Sequence, residues 1–156
     1  MRRLRAAAAL LALALVCGGA AAATAPNPVK ITSDKFVVDD ALHIATFTGS
    51  VVVTRTNLTV WAPKVVVDYG ATGGSSSIKT MTATGGVRIK TPQEDATGDI
   101  AVYDPKSQLL HLSGHVMVTT ARGTVGSPAL VVDLGTNTSV FSSSKGSRVT
   151  GVFTPK

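Results

Sequence analysis

The sequence predicts an all-β fold built on a duplicated unit. Three observations carry that reading: a 65-residue internal repeat, apolar alternation with period two, and no 12-residue window with helical periodicity after Ala23. Ile31–Gly70 slides onto Ala96–Gly135 without a gap, and 15 of the 40 pairs are identical. They include Asp34/Asp99, Asp39/Asp104, Gly49/Gly114, Val51/Val116, Val53/Val118, Pro63/Pro128, Asp68/Asp133 and Gly70/Gly135.

Two shorter patterns recur inside the repeat. One is a small residue, then Asp or Pro, then a Val two places before an Asp. It runs at Ser33-Asp34 to Asp39, Ala62-Pro63 to Asp68, Gly98-Asp99 to Asp104 and Ser127-Pro128 to Asp133. The other is Gly followed by alternating apolar residues, at Gly49, Gly85-Gly86, Gly114 and Gly151. Each pairing of the two reads as strand, turn, strand.

The elements follow in chain order. Met1–Arg5 is cationic, Ala6–Val16 is an unbroken apolar run of 11 residues, and Ala20–Ala23 is a row of small residues. This predicts a secretory signal peptide over residues 1–23, cleaved after Ala23, because 11 residues are too few to span a bilayer. Val16 stands where a lipoprotein signal needs a small residue before Cys17, which argues against lipidation. Val29-Lys30-Ile31 alternates as a first strand. Thr46–Thr54 is a second, with Phe47, Val51 and Val53 on one face, and Leu112, Val116 and Val118 repeat that face. Turn residues separate the strands at Asp39-Asp40, Tyr69–Ser77, Pro92–Asp95, Asp104-Pro105-Lys106, Gly135–Thr138 and Lys145-Gly146. The expectation is about 12 or more short strands, in a single domain over residues 24–156.

Composition narrows the function. Three of the 15 basic residues leave with the leader, so 12 face 9 acidic ones, too weak an excess to predict nucleic-acid binding. Cys17 leaves as well, so sheet hydrogen bonds and a core must hold the exported domain without a disulfide. The leader predicts the periplasm. Asp39, Asp68, Asp104 and Asp133 recur at strand ends, which suits turn caps better than a catalytic carboxylate cluster. His111 and His115 read as exposed residues near a turn, not metal ligands, and Trp61 reads as a packed strand residue. No nucleophile stands with a base, so no catalytic residue, cofactor or metal is expected.

The ordered blocks Pro28–Asp34, Thr46–Thr54, Ala62–Val67 and Ser144–Thr150 resemble the OstA-like family, over about Pro28–Pro155. The resemblance implies a twisted β-jellyroll, two antiparallel sheets in a V with an apolar interior. It implies a periplasmic bridge that carries lipopolysaccharide, held by its lipid A part, from the inner to the outer membrane. It also implies inner-membrane and outer-membrane partners of the transport machinery and head-to-tail homo-oligomers. The chain departs from the family at Ser50 and His115, where Asn commonly follows the Gly, and at Pro63 and Pro128, where Asp is common.

Parity assigns the interior to Val29, Ile31, Ala45, Phe47, Val51, Val53, Val87, Ile89, Leu110, Leu112, Val116 and Val118. Lys35, Arg88, Lys90 and Arg148 are expected as rim charges for lipid phosphates. Val29, Ile31, Val149 and Val152 are expected on the free edges that join protomers. Two other readings remain: another OstA-like adaptor of the envelope, and a carbohydrate-binding or adhesin-like β-repeat protein.

Overall fold

The structure, a computed structural model, describes residues 28–71 and 78–155. The expected signal peptide and most of the Gly/Ser-rich turn lie outside the described residues. Ten strands stand among those described: β1 (Lys30–Thr32), β2 (Lys35–Asp39), β3 (Ile44–Arg55), β4 (Leu58–Asp68), β5 (Thr80–Lys90), β6 (Glu94–Asp104), β7 (Leu109–Thr120), β8 (Gly123–Asp133), β9 (Thr138–Ser142) and β10 (Thr150–Phe153). They are fewer and longer than the turn signals predicted. Each long strand runs on through its central Gly or Pro, as the expected strand Thr46–Thr54 does across Gly49 within β3.

All pairings are antiparallel, in the order β1-β3-β4-β5-β6-β7-β8-β10, with β2 beside β3 and β9 beside β8. β1 and β2 therefore form one outer row, and β9 and β10 the other. Every long strand changes register near its middle. Gly49-Ser50 of β3 oppose Pro63 alone, Gly85-Gly86 of β5 oppose Asp99, and Gly114-His115 of β7 oppose Pro128. Two residues against one is a β-bulge, which bends the strand and sharpens its twist. Bulges lined up across the sheet make a crease, and the sheet folds along it into a V with two arms.

The local sequence explains the crease. The first bulge residue sits at φ +82 in Gly49, +92 in Gly85 and +76 in Gly114. These angles lie beyond the left-handed well that other residues visit. The second residue drops to φ 46 in Ser50 and 49 in His115, close to that well, so a short polar side chain or a histidine is tolerated there. The recurring small residue lies against the inside of the vertex, where there is no room. A Cβ on Gly98 would stand 2.7 Å from Leu112 Cδ1. Ser127 is buried there, its hydroxyl 2.7 Å from the Ala129 carbonyl and 2.8 Å from the Ser142 carbonyl, which share its one proton.

The four recurring aspartates are turn caps. Asp39 Oδ1 accepts from Leu42 N–H, Asp68 from Gly70, Asp104 from Lys106 and Ser107, and Asp133 from Gly135 and Thr136. Each closes the turn that follows its strand. His43, Gln108 and Asn137 occupy the same left-handed place in three of these turns, at φ 55, 57 and 54.

Candidate functional site

The inside of the V is apolar from one outer row to the other. Nine of the twelve residues assigned to it are in its buried core: Ala45, Val51, Val53, Val87, Ile89, Leu110, Leu112, Val116 and Val118. Ile31 and Phe47 are half-buried against them, and Val29 is more exposed but lines the interior cavity. The even-numbered strands complete the lining with Ala62, Val65, Val67, Ala96, Ala101 and Leu130, and β5 adds Met81 and Ala83. The parity argument missed the even strands for a specific reason. In β3, β5 and β7 the inward residues keep their parity across the crease, as in Val53, Val51, Phe47 and Ala45. In β4, β6 and β8 it flips, from Ala62 to Val65, from Ala96 to Ala101 and from Ser127 to Leu130.

Away from the crease, side chains alone hold the arms together. Only strands that are hydrogen-bonded neighbours bring their Cα atoms within 8 Å of one another, among the described residues. Inside, a cavity of about 60 Å³ is lined by Val53, Val60, Val65, Met81, Ile89, Tyr103 and Leu110, among others. That is far below the roughly 300–1,000 Å³ of pockets that enclose drug-sized ligands. At the open mouth of the V lies a wider, polar cavity of about 640 Å³, lined by the β3–β4 and β5–β6 turns on one arm and by Gln108, Leu134, Asn137 and Ser139 on the other. Arg55, the last inward residue of β3, lines both. Its Nη1 donates to the Tyr103 hydroxyl at 3.1 Å, from one arm to the other.

The expected rim charges are placed differently. Arg88 lies on the outer face, because its neighbours Val87 and Ile89 point inward. It makes a two-pronged bond to Asp95 and stands 5.7 Å over the Trp61 ring. That hydrogen bond holds the Asp95 carboxyl below the usual carboxylate range. Lys90 shares the Arg88 face, Lys35 is exposed on the outer row, and Arg148 is exposed in the segment before β10. None of the four lines the mouth; Arg55 does. A cation at an inward position was visible in the sequence, since Arg55 continues the parity of Val51 and Val53. Trp61 is likewise on the outer face and partly exposed, so it is not packed in the interior.

His111 is exposed on the outer face of β7. His115, at the crease, bonds Asp99 through Nδ1 at 2.8 Å. Among the described residues no three His, Cys, Asp or Glu side chains gather as a metal site, and no helix is long and apolar enough to cross a membrane.

The two outer rows carry exposed apolar side chains. β2 shows Phe36, Val37 and Val38, with Phe36 stacked on Phe47 at 4.6 Å. The opposite row shows Val140 of β9, then Val152 and Phe153 of β10 at 66% and 65% exposure. Val149 lies just before β10 and is exposed too. The expected edge residues Val29, Ile31, Val149 and Val152 thus lie on or beside these rows. The sequence reading missed the β2 and β9 parts of them.

The chain has relatives among known proteins. The structure of LptH from Pseudomonas aeruginosa, the LptA homologous periplasmic component of its lipopolysaccharide transport device, has the same fold, with a TM-score of 0.71 at 19% identity. The match covers 83% of this chain and 96% of that one. An uncharacterized protein of Rhizobium meliloti (strain 1021) is 30% identical over 97 residues, 59% of this chain. The chain spans about half the length of that relative, 52%. The family described as LptA/(LptD N-terminal domain) LPS transport protein matches residues 30–138, which run from β1 into β9. The chain belongs to this family of lipopolysaccharide transport proteins.

Proposed function

We propose that this chain is a non-enzymatic periplasmic carrier that shields the acyl chains of lipopolysaccharide inside the V. In this reading, copies stacked end to end form part of a bridge between inner-membrane and outer-membrane components of the transport machinery. The observation that carries the reading is the apolar inner face, which runs between two outer rows and is enclosed only by side-chain packing. Each methylene taken from water contributes about 0.8 kcal/mol, so an acyl chain inside the V is held firmly. The interior cavity is too small for such a chain as it stands, so loading requires the arms to part. A sheet that is not closed parts without breaking a ladder hydrogen bond. The leader and the periplasmic LptH support the compartment.

The test is site-specific photo-crosslinking to lipopolysaccharide. Crosslinkers at Phe47 and Val60, both half-buried on the inner face, should capture it. Crosslinkers at Thr54 and Met117, both exposed, should not. Equal capture at the two sets would overturn the proposal.

A further inference from the structure

Resting on the carrier reading, we propose that Arg55 is an anion-binding residue that takes the phosphate of an acylated, phosphorylated lipid at the mouth of the V. Tyr103 holds its guanidinium in place while the site is empty. Three observations carry this.

The first is position. Arg55 follows Val51 and Val53 on the inward face of β3 and lies at the boundary between the apolar cavity and the polar mouth. A ligand spanning that boundary has an apolar tail on one side of Arg55 and a polar head on the other.

The second is the lack of an ion-pair partner in contact with Arg55 among the described residues, although Glu94 lines the same mouth. Among the described residues the ion pairs within 4.0 Å are Arg88–Asp95 and His115–Asp99, and Arg55 is in neither. Its one side-chain hydrogen bond is the donation to Tyr103. A guanidinium carries five donors in a planar fork, so most of them remain for a ligand. Taking a cation partly out of water is unfavourable unless an anion meets it. In the second repeat Thr120 occupies the equivalent place, so the repeat itself does not require a cation there.

The third is fit. The fork matches phosphate oxygens two at a time, through charge-assisted hydrogen bonds. Tyr103 sits on the opposite arm, so its bond to Arg55 closes the mouth, and a phosphate that takes over the guanidinium also releases the arms. Glu94 lines the same mouth and opposes the anion, which predicts an effect of opposite sign when its charge is removed.

The experiment compares binding of doubly phosphorylated lipid A with its dephosphorylated form, for the mature chain and four variants. The unaltered protein should prefer the phosphorylated lipid. Arg55→Gln should lose about tenfold for that lipid, as expected for a charged hydrogen-bonding partner, and stay within about twofold for the other. Arg55→Lys should retain part of the preference. Tyr103→Phe should keep it, since the charge remains. Glu94→Gln should tighten the phosphorylated lipid by roughly two- to fivefold by relieving repulsion. If Arg55→Gln binds both lipids as the unaltered protein does, or weakens both equally, the anion site is refuted and the carrier reading stands. If the unaltered protein binds neither lipid, the carrier reading itself fails, and this inference with it.

Discussion

The crease should respond to alanine in two distinguishable ways. At Gly114 (φ +76) an added Cβ would stand 2.8 Å from Asp99 Cβ. At Gly86 (φ +96) it would meet nothing within 4 Å. Both substitutions put an L side chain where the backbone disfavours it, at a cost of about 1–3 kcal/mol. Only Gly114→Ala also forces two strands apart, because a Cβ–Cβ contact is not relieved by rotating the aspartate. Overpacking of that kind costs about 1–3 kcal/mol more. Gly114→Ala should therefore lower unfolding stability by about 2–6 kcal/mol and Gly86→Ala by about 1–3 kcal/mol. Urea unfolding with linear extrapolation reads both. Replacing Asp99 by Gly removes the opposing Cβ, so the double variant should recover the steric part and leave the backbone part, a coupling that a mutant cycle isolates. Equal losses at Gly114 and Gly86, or no coupling with Asp99, would refute close strand approach as the reason for glycine at the crease.

Two further outcomes follow from the edges and the caps. Thr154 N–H bonds the Arg122 carbonyl, so in the β10–β8 register Val152 also faces β8, while Phe153 turns its N–H to the free edge. Phe153→Pro should therefore abolish higher oligomers in sedimentation at high concentration and leave the monomer folded, whereas Val152→Pro also loosens β10 itself; oligomers that persist with Phe153→Pro would exclude this edge. Backbone N–H groups, of Ser107 and Lys106 at Asp104 and of Thr136 at Asp133, hold both carboxyls below the usual range of about 4. A lowered folded value means stability that is present above about pH 4 and is lost as pH falls through the folded values. Asp104→Asn with Asp133→Asn should flatten that acid limb in unfolding measured from pH 6 to pH 2, and an unchanged slope would show that these caps do not set it.

The sequence made the repeat, the strand faces and the turn caps legible because each has a local cause. Parity needs only neighbours on the same strand, and an aspartate cap needs only the next three residues. What parity could not see was the bend. Thr46–Thr54 is legible as one strand across Gly49, but nothing local shows that β4 runs on through Pro63, a residue found mainly at strand starts and edges. The physical difference is that the partner strand continues past the bulge and carries the ladder across it. The same bend hid half of the inner face, since the phase of alternation shifts at Pro63, Asp99 and Pro128. Arg88 was assigned to a rim from its charge, but its parity relative to Val87 and Ile89 already put it outside.

The two outer rows suit end-to-end growth for a reason that lies in the strand count. The sheet path β1-β3-β4-β5-β6-β7-β8-β10 has eight rows of alternating direction, so its two edges run in opposite senses. A second copy stacked head to tail then sets its β1 antiparallel to the first copy's β10 and continues the alternation. Both edges are also broken at the crease. β1 and β10 pair with the same arm, opposite Val52–Thr54 and Gly123–Gly126, while β2 and β9 pair with the other. Joining the edges would therefore extend both walls of the V at once, with crease against crease. Contact between two different edges is heterologous, so in the proposed assembly it would extend into a filament, or a ring if the rotation closes, and would not stop at a two-fold dimer. In the proposed contact the exposed side chains of β2, β9 and β10 would lie at or beside the junction, and the apolar trough would run on from one copy into the next. Two apolar open edges that match in direction and in crease position are what the proposed end-to-end carrier would require of a single copy.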